Sequence, residues 1–147
     1  MRHRPGGHSP IGGRQAFVDT GAWIALAVTR DPLHDRARAV WTSNEAAGTR
    51  WVTSIPVVLE TFTFLSRCVS TDLALAWKAG LGTVRRLRML ECTSRDLAEA
   101  WAHFTRKDLH RLSAVDATSF VLMTRECLKW VFSFDTHFGA AGFEYLT

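Results

Sequence analysis

The chain reads as an α/β domain in which a mostly parallel sheet lies between helical layers. Three observations predict this. Short apolar runs at Ala16–Val18, Trp51–Thr53, Leu87–Leu90 and Trp130–Phe132 alternate with longer stretches of helical periodicity, the pattern of buried parallel strands joined by helices. Two of the runs are followed by an acid, Asp19 and Asp135, where open α/β sheets place ligand chemistry. And 147 residues suffice for one domain with a full core.

Met1–Arg14 holds four Gly, two Pro and no apolar periodicity, so residues 1–15 are expected to be a disordered basic tail ahead of one domain at 16–147. The formal charge of +4 resides largely there: Arg2, Arg4 and Arg14 face no acid, and the rest of the chain carries 15 basic and 14 acidic residues. His3 and His8 lack metal-ligand company. After Asp19, Thr20-Gly21 opens a helix through Ala27. Asp31 then reads as the N-cap and Pro32 as the first residue of a helix to about Asn44, before the strand at Trp51.

Ser54 caps the next helix, Ile55 to Cys68. Its first eleven residues, IPVVLETFTFL, contain a single ionisable group, Glu60. A carboxylate there either pairs with Arg67, stays exposed, or looks into an acidic pocket where a cation offsets its burial. A helix from Thr71 to about Val84 is built on Leu73, Trp77 and Leu81. The helix opened by Thr93 or Ser94 is expected to reach Lys107, with Asp96 in a capping box.

Leu112–Phe138, LSAVDATSFVLMTRECLKWVFSFDTHF, reads as helix, turn and strand. Ser113 is the N-cap, and Asp116 lies in the first turn, where it either closes a capping box or does chemistry. Asp135 either caps the helix starting near His137 or does chemistry. Phe143–Leu146 is a fifth strand. Just before this stretch, Arg106, Lys107, His110 and Arg111 concentrate positive charge beside the candidate acids, which favours polyanion contact over a merely solvated face.

Some classes are excluded by composition. No apolar run approaches the ~18 residues of a membrane span. Asp19 interrupts the one stretch that resembles a signal peptide. Cys68, Cys92 and Cys127 form no C-x-x-C pair, fall inside apolar helix or strand patterns, and read as structural thiols in a reducing, cytoplasmic compartment.

Four carboxylates brought within ~4 Å of each other repel by ~4 kcal/mol per pair at a surface-like effective dielectric, so such a cluster calls for a divalent cation. All-oxygen ligands favour Mg²⁺ or Mn²⁺. That metal chemistry suits phosphodiester hydrolysis by an activated water. A haloacid-dehalogenase-type phosphatase needs an acid at Gly21, and a receiver domain needs an early acidic pair and a late Lys; neither is present.

Phe17-Val18-Asp19-Thr20, the Val-Leu-Glu60-Thr-Phe-Thr-Phe-Leu helix, Leu-Ser-Ala-Val-Asp116-Ala-Thr-Ser-Phe-Val-Leu-Met and Phe-Ser-Phe-Asp135-Thr-His-Phe together resemble the PIN-domain ribonucleases, and in particular the VapC-type toxins of bacterial toxin–antitoxin pairs. The resemblance covers about residues 16–147. It implies a three-layer α/β/α sandwich around a five-stranded, mostly parallel sheet. It also implies Mg²⁺- or Mn²⁺-dependent endoribonuclease activity leaving a 5′-phosphate, homodimerisation, and inhibition by a cognate antitoxin. On this resemblance Asp19, Glu60, Asp116 and Asp135 form the catalytic metal site. Thr20 and Ser133 orient carboxylates or bind phosphate, and Arg106, Lys107 and Arg111 bind the RNA backbone. Helices around Trp23 and Trp77 are expected to offer apolar surface to the antitoxin and a dimer mate. The alternative is a silent PIN-fold module that binds RNA or protein without cutting.

Overall fold

A computed structural model describes residues 13–147. The expected tail lies outside these residues as far as position 12. Its last three residues join the domain: Gln15 opens the first strand, the Arg14 carbonyl accepts from the Arg50 N–H at 2.8 Å, and the Arg14 guanidinium sits 4.0 Å over the Trp130 ring.

The strands are β1 (Gln15–Val18), β2 (Arg50–Ser54), β3 (Leu87–Leu90), β4 (Trp130–Phe132) and β5 (Glu144–Tyr145). The helices are α1 (Thr20–Ala27), α2 (His34–Ala46), α3 (Ile55–Cys68), α4 (Thr71–Leu81), α5 (Ser94–Ala100), α6 (Ala114–Arg125) and α7 (His137–Ala140). All four strand pairings are parallel, in the order β3-β2-β1-β4-β5. Parallel neighbours need crossovers, and helices on both faces give the three-layer α/β/α sandwich.

The chain winds from β1 outward to β3, then returns to the other side of β1 for β4 and β5. The order therefore reverses between β1 and β4, and the crevice outside their carboxyl ends is where such sheets bind ligands. Val18 is in register with Phe132, and the Asp19 N–H continues the ladder to the Phe132 carbonyl at 3.1 Å. Asp19 and Ser133 thus leave the sheet side by side.

Aromatic packing holds this frame. Trp41 stacks on Trp51 with ring centroids 4.1 Å apart, and Phe120 meets Phe138 edge-on at 5.0 Å. Such pairs add about 0.5–1.5 kcal/mol beyond the area they bury. Trp23 is only 3% exposed; its indole N–H donates to Thr53 Oγ1 at 3.1 Å, and Thr53 donates on to the Val18 carbonyl at 3.1 Å. Trp77 packs edge-on against Trp23. Trp23 is thus buried against the sheet, while Trp77 stays partly exposed and lines a shallow cleft of about 240 Å³ with Leu26 and Trp41.

Four local details differ from the sequence expectation. The Asp31 carboxylate accepts from the Leu33 N–H at 2.8 Å, closing a turn around Pro32 that delays α2 to His34. α5 stops at Ala100 and tightens into a 3₁₀ segment over Trp101–Thr105, so the helix does not reach Lys107. α4 ends at Leu81, short of Val84. Cys68 and Cys127 are exposed, Cys127 in a left-handed turn (φ 53°), and are not core thiols. The Thr93–Asp96 capping box forms as expected. No described helix is long and apolar enough to cross a membrane.

Candidate active site

Asp19 occupies the cap position of α1 yet its side chain makes no capping bond. It turns to Ser133, whose hydroxyl donates to Asp19 Oδ2 at 3.0 Å while accepting the Asp135 N–H at 3.0 Å. One hydroxyl thereby spaces two acids from neighbouring strands. The other oxygen, Asp19 Oδ1, is buried without a hydrogen-bond partner, and so is Thr20 Oγ1. An orphaned buried carboxylate oxygen is costly, and it marks a place where a ligand completes the site.

Asp116 enters from α6. Ser113 caps that helix by accepting the Asp116 N–H at 3.0 Å, which fixes Asp116 in the first turn. One oxygen of Asp116, one of Asp135 and a ring nitrogen of His137 lie within 4.8 Å of one another, an arrangement able to hold a metal ion. Asp19 and Glu60 stand outside that tight group but act on its charge. Burial, then the Asp116 charge, push the Asp19 carboxyl up to about 7. Burial, then the Asp135 charge, push Asp116 up to about 6, with Glu60 adding to the rise. Protons retained near neutral pH are the signature of carboxylates that repel one another in a poorly hydrated place.

Glu60 is half-buried on α3, and no ion pair with Arg67 forms among the described residues. It stands on the rim of an apolar cleft of about 850 Å³ that Leu59, Phe64 and Leu97 line. On the other side of the cluster, Ser133 and Asp135 share the wall of a second cleft of about 760 Å³. The acids therefore sit between two openings.

His137 and Tyr145 are site residues that sequence reasoning left without a role. His137 Nε2 lies 2.6 Å from the His110 carbonyl, which fixes the proton on that nitrogen. His137 Nδ1 faces Asp135 Oδ1 at 2.8 Å in an ion-pair contact that falls short of hydrogen-bond alignment. The bond to the His110 carbonyl and the neighbouring carboxylates raise the imidazole's pKa. The Asp135 carboxylate also accepts the His137 N–H at 2.8 Å, closing the turn that leads into α7. Behind it the Tyr145 hydroxyl donates to the Asp135 carbonyl at 2.5 Å and accepts the Gly139 N–H at 2.8 Å. A methyl group at Gly139 would stand 3.0 Å from the Tyr145 ring. The only sequence signal for His137 was a histidine two residues past the last acid.

The basic loop is placed next to α7. Arg106 pairs with Asp108 at 2.6 Å and donates to the Ala140 carbonyl at 3.2 Å, so much of its charge is already engaged. Lys107 and Arg111 are exposed and have no ion-pair partner among the described residues, and Arg111 holds a left-handed backbone (φ 60°).

The PIN domain family matches residues 16–144. The 23S rRNA-specific endonuclease VapC20 of Mycobacterium tuberculosis is 39% identical over 129 residues, spanning 86% of this chain and 94% of that protein. The crystal structure of Mycobacterium tuberculosis VapC20, described as a sarcin–ricin loop cleaving toxin, superposes with a TM-score of 0.78 at 33% identity, covering 88% of this chain and 96% of the other. FitAcB from Neisseria gonorrhoeae shares the fold at 16% identity, with a TM-score of 0.64 over 90% of this chain and 96% of that one. With that family matched across nearly the whole chain and the acids gathered at its sheet switch point, this protein belongs to the PIN-domain family.

Proposed function

We propose that the chain is the toxin of a toxin–antitoxin pair: a Mg²⁺- or Mn²⁺-dependent endoribonuclease working in the cytoplasm. The observation that carries the reading is the convergence of Asp19, Asp116 and Asp135 from β1, α6 and β4, with Asp19 Oδ1 buried and unpaired. Hard oxygen donors with an open oxygen position fit Mg²⁺ or Mn²⁺ better than a sulfur-seeking metal. Asp19, Asp116 and Asp135 would hold the ion, with Glu60 closing the far side.

When bound, the metal supplies an activated water and stabilises charge on the phosphoryl and leaving 3′-oxygens. The chain's own residues do the positioning. Ser133 fixes the spacing of Asp19 and Asp135, Thr20 offers a free hydroxyl beside Asp19, and the His137 ring, held by the His110 carbonyl, stands beside the Asp135 carboxylate. Lys107 and Arg111 present positive charge to the RNA backbone at the α7 side.

The relationship to VapC20 supports the 23S rRNA sarcin–ricin loop as the substrate to test first. For the antitoxin and a dimer mate, the exposed face of α3 adds apolar surface to that around Trp77: Leu59 is 63% exposed and Ile55 and Phe64 flank it. Isothermal calorimetry with Mn²⁺ tests the metal site directly. The wild type is expected to bind and Asp19→Asn to lose binding; equal binding by both would remove Asp19 from the site.

A further inference from the structure

The cleft that Asp135 shares on the α2 side has a composition the metal site does not explain. Its volume, about 760 Å³, lies in the range of ligand sites, about 300–1,000 Å³. Leu33, just before α2, and Val40 of α2 line it, together with Leu146 after β5 and Phe134, the residue between Ser133 and Asp135 in sequence. Arg36, one turn before Val40, is exposed; its guanidinium stands 5.3 Å from the centre of the Phe134 ring. No carboxylate pairs with Arg36 among the described residues.

An arginine plane beside an aromatic ring, with apolar walls, suits a flat π-system better than a phosphate. The Asp135 carboxylate on the shared wall also disfavours an anion in the cleft, whereas a cation held by the acids would take the scissile phosphate beside it. A strand whose phosphate lies at the acids therefore has a base within reach of the cleft.

We infer that this cleft is a nucleobase subsite, in which Arg36 and Phe134 stack an unpaired base of the RNA flanking the scissile phosphate. The inference rests on the nuclease reading and adds a recognition element to it. It favours substrates cut within a loop, where a base is free to leave its stack.

The test uses the full-length protein with an oligoribonucleotide spanning the cut site mapped with the wild type. Versions of the strand carry an abasic residue on one or the other side of the cut. The wild type is expected to lose about tenfold in kcat/KM at one of the two abasic positions, the scale of one base stack. Arg36→Ala should lose a similar factor on the intact strand and nothing further on that abasic strand, and Arg36→Lys should behave like Arg36→Ala. Wild-type rates with Arg36→Ala, full activity with Arg36→Lys, or equal abasic losses in both enzymes would overturn the subsite. Failure of the wild type to cut the intact strand would instead defeat the nuclease reading, and the subsite with it.

Discussion

The Ser133 hydroxyl donates to Asp19 Oδ2 at 3.0 Å across 114 residues of sequence, and it accepts the N–H of Asp135 at the same distance. A single side chain thus sets the separation of two carboxylates that repel each other. Ser133→Ala removes a donor and an acceptor at once. Metal affinity should fall about 10- to 100-fold, as for lost outer-shell partners of metal ligands, while raised metal concentration restores activity. Ser133→Thr keeps the hydroxyl and should retain affinity. Calorimetric titration with Mn²⁺ checks both.

The raised carboxyls of Asp19, to about 7, and Asp116, to about 6, compare with an ordinary value of 3.8. Their folded pKa values exceed the unfolded ones, so between about pH 4 and 7 the folded chain holds more protons than the unfolded. Their contribution to stability is therefore full below pH 4 and is lost as pH rises through 6 and 7. His137, also raised, is lost in the same direction as pH climbs through its own titration. The metal-free protein should melt several °C lower at pH 8 than at pH 5, at about 2–4 °C per kcal/mol. Asp19→Asn should narrow that gap by raising the pH 8 melting temperature. Scanning calorimetry in excess EDTA measures both.

Metal binding has the matching sign. A cation must displace protons from Asp19 and Asp116, so affinity should strengthen as pH rises from 5.5 to 7.5. Calorimetry in buffers of different ionisation enthalpy should count one to two protons released per ion, and a pH-independent affinity would contradict the coupling.

Tyr145 braces the turn that carries Asp135. Tyr145→Phe leaves the ring packed against Gly139 but removes the bonds to the Asp135 carbonyl and the Gly139 N–H. The account predicts a roughly tenfold lower kcat at fixed low metal with little change in KM for RNA, and a higher metal requirement. An unchanged metal requirement would make Tyr145 a packing residue only.

Lys107 and Arg111 carry the basic loop's free charge, since Arg106 is already paired with Asp108. Replacing Lys107 and Arg111 by Ala should lower the slope of log affinity against log salt by about 1.4, at about 0.7 per phosphate contact on single-stranded RNA. Filter binding with Asp116→Asn protein, which should hold RNA uncut, gives the slope.

Much of this was legible in the sequence because it is local. Three-residue apolar runs flanked by turn residues mark buried strands, and acids at their carboxyl ends mark a sheet's ligand side. Asp19 and Asp135 stood out from those positions, and Asp116 from the first turn of α6, but their grouping into one site came from the resemblance to the PIN-domain ribonucleases. The supports could not, because they depend on contacts far apart in sequence. His137 reaches the carbonyl of His110, and Arg106 that of Ala140, only once the 3₁₀ segment has shortened α5 and folded the basic loop back onto α7. Trp23 looked available because composition does not say which side of a helix meets the sheet; the Thr53 hydroxyl under its indole decides it. For Glu60 the sequence left three alternatives open, and the ion pair with Arg67 does not form among the described residues. The tight group of Asp116, Asp135 and His137 nevertheless forms without it, leaving Glu60 to act at longer range.

The central claim is that the acid cluster cuts RNA with a metal. Its most direct test is cleavage of ribosomal RNA by wild type and Asp116→Asn, each in Mg²⁺, in Mn²⁺ and in excess EDTA, with ends mapped by primer extension. The account predicts a discrete cut in 23S rRNA, made only by the wild type and only with metal. Equal cutting by Asp116→Asn, or cutting that survives EDTA, would contradict it.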